Sequence, residues 1–372
     1  MGGELRAAFD LSHTAYGALY SLATITSAAL LFRLGGLADT WRLPHVTAFA
    51  LLILMCGCLA IGLAPGVVIL GVGFVLIRLG GQGLIAHLGM TTAARYFPAH
   101  RGKAVALAAA GFPLAESILP PLAVVLIGLF GWRAPWLAGG GLLVLLVLPA
   151  LVFLSRHAPL PSTLPSESAP SPGEVAAVIF SRGDVLRDRG FYFLLPAALV
   201  TPFTATALFF HQVALAELRG WSLELVATAF GAYAAGHLIS LLASGPAVDR
   251  FGARRVLPPA LLPMMAGMLV VAFVRHEVAA YIYLTLIGVT HGFAATSAGA
   301  LLADRYGVVH LGAIRAMVQS VMVVATAVAP VMLGFLLDRE IPLTRLASGL
   351  AVLIALAALA AWLAPQPRRR GP

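Results

Sequence analysis

Two charged residues lie inside long apolar stretches of this sequence, where an ionised side chain is costly. Arg78 precedes Gln82 by one helical turn, so the two side chains would share one face of a helix. An arginine at the centre of a bilayer costs about 2.5 to 3.5 kcal/mol on insertion scales. We therefore expect Arg78 to face protein, where it would bind a substrate anion, join a proton relay or pair with backbone carbonyls.

Glu116 is the second such charge, and it lies between Pro113 and Pro120. A carboxyl group in an apolar environment holds its proton more tightly than it does in water. Two interpretations stay open from the sequence. Glu116 either exchanges a proton or serves as the ion-pair partner of Arg78.

Further polar residues recur at helical intervals in the second half of the chain. They are Thr201, Thr204, His211, Tyr233, His237, His291 and Gln319. Spacings of three, four and seven residues place such side chains on one face of a helix. A single histidine in a membrane helix is commonly hydrogen-bonded within the bundle, but polar stripes on several helices predict a cavity for a solute or for protons.

The elements that must position these residues are membrane-spanning helices. Apolar residues make up 60% of the sequence, charged residues 10%, and the mean hydropathy is +0.95. Eleven apolar stretches are long enough to cross a bilayer. They are residues 14–34, 45–63, 67–87, 103–129, 136–153, 191–211, 225–244, 256–274, 279–302, 313–336 and 346–363. We expect an all-α, multi-pass membrane protein.

The 24 lysine and arginine residues give the chain a net charge of +9, and most of them fall in loops on one side of the predicted spans. Positive residues are retained on the cytoplasmic side, so these loops are predicted to be cytoplasmic. The charge is spread over short loops and a tail, which argues against nucleic acid as a partner. Cys56 and Cys58 lie in one apolar span and predict packing rather than a metal site.

The chain contains an internal repeat with an offset of 210 residues. Matching pairs are Gly35 and Gly245, Asp39 and Asp249, Arg95 and Arg305, and Tyr96 and Tyr306. Two separate groups of matching residues at one offset indicate a duplicated unit. The counterpart of span 191–211 would lie upstream of Met1, so we expect the first helix of the first half to be absent from this chain.

The repeat predicts a domain organisation. Residues 1–154 form an N-terminal bundle of five helices, beginning with an outer loop over residues 1–13, and residues 190–364 form a bundle of six. Residues 155–189, rich in proline and serine, predict a cytoplasmic linker whose end forms a surface helix. Residues 365–372 form a cytoplasmic tail.

The second copy of the repeat resembles the major facilitator superfamily, whose loop between the second and third helices of each half reads Gly-x-Leu-x-Asp-Arg-x-Gly-Arg-Arg. The matching residues are Gly245, Asp249, Arg250, Gly252, Arg254 and Arg255 in the second copy, with Gly35 and Asp39 in the first. The resemblance implies two helix bundles that alternate access to a central site. It also implies an inner gate latched by Asp249, Arg250 and Arg254, and more weakly by Asp39 and Arg42. The alternative is that these charges only anchor loops.

These features lead to a secondary transporter as the main hypothesis. Arg78 and the histidines favour an organic anion carried with protons, and Phe112–Pro113 resembles the monocarboxylate and oxalate branch of the family. The alternatives are a drug or metabolite efflux transporter, or a truncated membrane protein that does not transport. The sequence lacks HExxH, Gly-x-Ser-x-Gly and phosphate-binding patterns, so we expect no enzyme, no metal or cofactor, and no use of ATP. We expect a monomer in a bacterial cytoplasmic membrane.

Overall fold

The computed structural model describes residues 2–34, 37, 41–96, 101–156, 158, 180, 182–306 and 311–365. These residues form helices joined by short turns, without a strand among them. Contacts divide the chain into two compact units. Unit 1 comprises Met1–Phe112 and Leu122–Ala169, whereas unit 2 comprises Pro113–Pro121 and Pro170–Pro372.

The described residues of the first half of the chain form eight α-helices. They are α1 (Gly2–Phe9), α2 (His13–Leu34), α3 (Leu43–Gly62), α4 (Val67–Ile77), α5 (Ala86–Tyr96), α6 (Arg101–Phe130), α7 (Ala134–Leu142) and α8 (Leu148–Ser155). Two π-helical segments, Arg78–Ile85 and Leu143–Val147, join α4 to α5 and α7 to α8. The prolines Pro113, Pro120 and Pro121 lie inside α6.

In the second half, the part of the chain that the structure describes forms nine further helices, all within unit 2. They are α9 (Arg182–Arg187), α10 (Arg189–Phe210), α11 (Gln212–Arg219), α12 (Leu223–Phe251), α13 (Ala253–Ala260), α14 (Leu262–Phe273), α15 (Val278–Tyr306), α16 (Leu311–Asp338) and α17 (Leu343–Leu363). A buried apolar core runs through α10, α12, α14, α15 and α17.

Eleven helical segments in the described part of the chain are long and apolar enough to cross a membrane. One of them coincides with each predicted span, so the prediction of eleven spans is confirmed. Three spans contain more than one helical segment, and Val67–Gly89, for example, includes α4, the π-helical segment and the start of α5.

The N-terminal residues differ from the expectation of a loop. Residues Gly2–Phe9 form a helix, and Leu5 on that helix is 1% exposed. Arg6 Nε donates to the carbonyl of Leu11 at 3.3 Å, which caps the turn after the helix. The loop prediction is wrong because the chain has an apolar residue there that is buried within unit 1. Of the predicted surface helix in the linker, the described part is α9.

Close packing between α12 and α15 depends on glycines. A Cβ atom at Gly236 would lie 2.8 Å from the carbonyl oxygen of Thr285, and one at Gly292 would lie 2.7 Å from that of His237. At Gly288 it would overlap the backbone of Tyr233. Small residues let membrane helices approach until their backbones touch, so these positions fix the register of the two helices that carry Tyr233, His237 and His291.

Candidate substrate and proton site

In unit 1, Arg78 lies where the α-helix α4 changes into a π-helical turn. Its Nη1 donates to Tyr20 Oη at 2.8 Å and also to Gln82 Oε1. The guanidinium lies over the Tyr20 ring at 5.0 Å from the centroid. The predicted Arg78–Gln82 pair is thus present. The hydrogen-bond partners of Arg78 are side chains, whereas one of the three interpretations from the sequence expected backbone carbonyls.

A glycine lets the π-helical turn pack closely against the neighbouring helix α3. A Cβ atom at Gly80 would come within 2.7 Å of the backbone nitrogen of Leu54 on α3, so glycine is needed for this approach. Single π-turns inside α-helices are frequent at functional sites, because the extra residue per turn changes the direction of the side chains. Here the widened turn carries both Arg78 and Gln82.

Arg78 forms no ion pair with any carboxylate in the described residues of the structure. One nitrogen, Nη1, makes both hydrogen bonds, while the side chain as a whole stays partly exposed. A guanidinium has five N–H donors in a planar fork that matches a carboxylate. Its remaining face can therefore bind an anion without breaking the contacts to Tyr20 and Gln82.

In unit 2, four predicted residues come together in a polar cluster of Glu116, Tyr233, His237 and His291. Tyr233 Oη donates to Glu116 Oε1 at 3.3 Å and lies 2.7 Å from His291 Nδ1. Glu116 Oε2 lies 3.5 Å from His237 Nδ1. The ring centroids of His237 and His291 are 5.7 Å apart. The cluster thus joins a carboxyl group, a phenol and two imidazoles from α6, α12 and α15.

The hydrogen bonds of this cluster depend on one another. Tyr233 has a single hydroxyl proton, so while it donates to Glu116, His291 Nδ1 must be the donor in its own bond to Tyr233. If Glu116 is protonated, the carboxyl group can donate to Tyr233, and Tyr233 then donates to His291. The phenol is therefore able to pass a proton between the carboxyl group and the imidazole.

The cluster is not fully satisfied. Glu116 Oε2 and His237 Nδ1 are buried atoms that have no hydrogen-bond partner in the described structure. An unpaired buried polar atom costs about 1 to 3 kcal/mol. A proton shared between this oxygen and this nitrogen would satisfy both atoms. The described residues contain no group of three metal-ligating side chains placed to hold an ion.

The other residues that were predicted to line the pathway in the second half lie outside the polar cluster. Thr201 and Gln319 line a cavity in unit 2 together with His291. Thr204 is 0% exposed and its Oγ1 has no partner among the described residues. His211, by contrast, lies at the end of α10 and its Nε2 is 2.8 Å from the carbonyl oxygen of Pro330. That contact ties α10 to α16, so it gives His211 a structural position.

The residues of the predicted gate are only partly described. Gly35 and Asp39 lie outside the described residues, and Arg42 is exposed at the start of α3. In the second copy, Asp249, Arg250 and Arg255 are exposed, and Arg250 lies over the Phe251 ring. The exposed charges therefore have few partners within unit 2.

Two gate residues have a clear structural role. Gly252 has φ +81°, a backbone conformation that favours glycine, and it turns the chain from α12 into α13. Arg254 Nη2 donates to the carbonyl oxygen of Ala364 at 2.5 Å, beyond the last turn of α17. Around Gly245, in contrast, a Cβ atom would meet nothing within 4 Å. Close helix approach does not explain that glycine in this structure.

The structure also shows a buried ion pair that no predicted site residue belongs to, Asp188 with Arg305. Arg305 Nε donates to Asp188 Oδ2 at 2.8 Å and Nη2 donates to Oδ1 at 3.1 Å. Tyr306 Oη donates to the same carboxylate at 2.8 Å, and Arg305 Nη1 donates to the carbonyl oxygen of Pro365 at 2.8 Å. Asp188 also caps α10 through Gly190. We name Asp188, Arg305 and Tyr306 the end cluster.

Signals for both clusters were present in the sequence. Arg305 and Tyr306 belong to the repeat, but a basic residue at the end of a span is also expected from the charge rule alone. Gly288 and Gly292 have the GxxxG spacing that favours close helix pairs, and His291 lies between them. That spacing predicts a partner helix at His291, although it does not say which helix.

The family model of the Major Facilitator Superfamily matches residues 2–230 and 203–372. No curated protein matches the sequence. A bacterial homolog to the human lysosomal transporter Spinster has a similar structure in its inward-facing and occupied conformation, with a TM-score of 0.68 and 14% identity over 97% of this chain and 90% of that chain.

The inward-facing and unoccupied conformation of a homolog of the same description gives a TM-score of 0.63 and 14% identity, over 96% of this chain and 87% of that chain. At this level of identity the likeness is one of fold.

Proposed function

This chain belongs to the Major Facilitator Superfamily, and we propose that it carries a small organic anion, such as a monocarboxylate, together with protons. It is a multi-pass integral membrane protein and a secondary transporter of a small-molecule solute. We further propose that it works as a monomer in a bacterial cytoplasmic membrane, with the arginine-rich end of α12 on the cytoplasmic side. The positive-inside rule supports that orientation.

The observation that carries the proposal is the guanidinium of Arg78. It lies in a membrane span, no described carboxylate neutralises it, and Tyr20 and Gln82 hold it by one nitrogen. A cation in a membrane span that faces the protein interior usually marks an ion or substrate pathway. A carboxylate offers two acceptor oxygens to the free side of the fork.

Proton coupling is supported by the polar cluster of unit 2. When Glu116 is protonated and His291 carries its ring proton on Nε2, the Glu116 proton can pass to Tyr233 Oη as Tyr233 passes its own proton to His291 Nδ1. His291 also lines the cavity in unit 2, so a proton on Glu116 removes a negative charge that is two hydrogen bonds away from the cavity wall. A solute anion would then bind more tightly when a proton is present, which is the requirement for symport.

Uptake of labelled lactate into proteoliposomes tests the anion site. We expect Arg78→Ala to reduce uptake by about 10- to 100-fold, the effect of removing a hydrogen bond to a charged group. Arg78→Lys should recover part of the activity, because lysine keeps the charge and loses the fork. Arg133→Ala, an exposed arginine, is the matched control. Uptake that is unchanged in Arg78→Ala, or cationic dyes carried in place of carboxylates, would refute the proposal.

The proton step requires a separate measurement. Glu116→Gln should abolish uptake driven by a pH gradient, while exchange of labelled for unlabelled anion at equal pH continues. Exchange needs no net proton movement, so this split distinguishes a coupling residue from one required for folding. Glu224→Gln, an exposed carboxyl group at the start of α12, is the control. If Glu116→Gln takes up the anion along a pH gradient at the rate of the control, Glu116 has no role in proton coupling.

A further inference from the structure

Unit 2 has a partly open cavity of about 410 Å³ between α10, α15 and α16. Its walls are largely aliphatic, and they include Leu194, Leu302, Val318 and Met322. The volume falls within the range of small-molecule binding sites. An apolar cavity of this size destabilises a protein when it is empty, because the lining atoms lose their packing contacts.

One end of the cavity has a cation. Arg315 lies near the start of α16, lines the cavity, and donates from Nη2 to the carbonyl oxygen of Gly299 at 3.2 Å. Its side chain is exposed, and Gln319 follows one helical turn later on the same wall. Among the described residues that line the cavity, Arg315 is the one with a permanent positive charge.

The other end of the cavity is polar and lies deeper in the helices. Thr201 is twelve positions after Arg189, where α10 begins, which corresponds to roughly 18 Å along the helix. Thr201 is 6% exposed and its buried Oγ1 has no hydrogen-bond partner among the described residues. His291, which is bonded to Tyr233, lines the cavity as well.

We propose that this cavity binds the hydrocarbon chain of an unbranched aliphatic carboxylate, whose head group binds Arg315. The proposal rests on the proposed function for the carboxylate class, and it adds a second binding position for that class, in unit 2, that favours a longer apolar chain. A short, strongly hydrated anion such as lactate would leave the aliphatic walls empty. A hexanoate or octanoate chain fills them and releases water from both surfaces.

The chain-length dependence of binding is the direct test. Each methylene that enters the cavity should tighten binding about fourfold, until the cavity is full. The full chain is placed in lipid nanodiscs, because aliphatic detergents would occupy the cavity. Equilibrium dialysis then measures the dissociation constants of butanoate, hexanoate, octanoate and decanoate.

Two variants distinguish the contribution of the hydrocarbon chain to binding from that of the head group. Ala298 lines the cavity, so Ala298→Leu should move the plateau to a shorter chain and leave butanoate binding as it is. Arg315→Gln should weaken all four ligands by one common factor without changing the increment per methylene, and Arg315→Lys should restore part of that factor. Ala235→Leu, the same change at an exposed position of α12, is the control.

The outcomes distinguish this proposal from the function above. Equal affinity for all four carboxylates, or a plateau that Ala298→Leu does not move, would overturn the cavity proposal while Arg78-dependent lactate uptake could still be observed. The expected chain-length series without uptake of any carboxylate would leave the cavity site standing and refute the carrier function. A phospholipid that copurifies and that octanoate cannot displace would show a lipid-filled cavity, and it would also overturn the proposal.

Discussion

Two polar clusters of unit 2 each place a tyrosine hydroxyl against a carboxylate, and they differ in how fully the carboxylate is paired. In the end cluster, Asp188 accepts from Tyr306 at 2.8 Å and also from Arg305 and from the backbone of Gly190. In the polar cluster around Glu116, Tyr233 donates at 3.3 Å and the second carboxylate oxygen has no hydrogen-bond partner in the described structure.

The difference indicates which cluster can rearrange its hydrogen bonds. The end cluster has a permanent cation and a full set of donors, so any rearrangement would leave buried charges unpaired. The polar cluster contains only groups that can gain or lose a proton, and its hydrogen bonds can reverse direction around Tyr233. We therefore infer that the end cluster holds unit 2 in one arrangement, whereas the polar cluster responds to protons.

The largest effect is expected from Arg305→Ala. Removing the cation leaves the Asp188 carboxylate with hydrogen bonds from Tyr306 and Gly190 but without its counter-charge, and breaking such an ion pair costs about 3 to 5 kcal/mol. It also frees the carbonyl of Pro365, which Arg305 holds behind α17. Thermal unfolding of the purified protein measures the loss of stability. Arg255→Ala, at an exposed arginine, is the control. If both variants unfold at the same temperature, the end cluster does not stabilise unit 2.

A smaller effect is expected from Tyr306→Phe, which removes one donor of the same cluster. A hydrogen bond to an ionised group contributes about 1.5 to 3 kcal/mol, and the two bonds from Arg305 remain. The loss should therefore be clearly smaller than that of Arg305→Ala, and it should largely disappear when Arg305 is already alanine. A double-mutant cycle measures this coupling. Strict additivity of the two losses would contradict a shared network.

The sequence predicts the spans and the residue types of the sites better than it predicts the contacts. All eleven spans follow from long apolar stretches, and the Arg78–Gln82 pair follows from helical spacing alone. The partner Tyr20 is 58 residues away from Arg78, and no local pattern joins them. Helical periodicity defines a face, but the neighbour of that face depends on the packing of the whole bundle.

The two clusters of unit 2 illustrate this limit in different ways. Glu116 and Tyr233 were both predicted as pathway residues, yet their contact spans 117 positions. Asp188 and Arg305 are also 117 positions apart, and each occurs at a helix end, where a charge is expected for capping or topology. A charge in an apolar span is conspicuous in a sequence, and a charge at a helix end is not.

An effect of about 1 to 3 kcal/mol is expected from Gly292→Ala, because the new methyl group would press against the carbonyl of His237 and push α12 away from α15. The same change should lengthen the contact between Tyr233 and His291 and weaken gradient-driven uptake. Gly349→Ala in α17, where nothing lies within 4 Å, is the control and should be neutral or slightly stabilising. Equal unfolding temperatures for the two variants would show that α12 and α15 tolerate a wider spacing.

The smallest loss of stability is expected from Tyr233→Phe, although its functional effect should be large. Its bond to Glu116 is long and the surrounding Phe209 and Phe230 rings continue to pack against the phenylalanine, so we expect a cost of about 0.5 to 1.5 kcal/mol. Without the hydroxyl, a proton on Glu116 has no path to His291. Uptake driven by a pH gradient should then fall while anion exchange at equal pH persists. If Tyr233→Phe instead loses as much stability as Tyr306→Phe and keeps gradient-driven uptake, the polar cluster is a structural cluster like the one at Asp188.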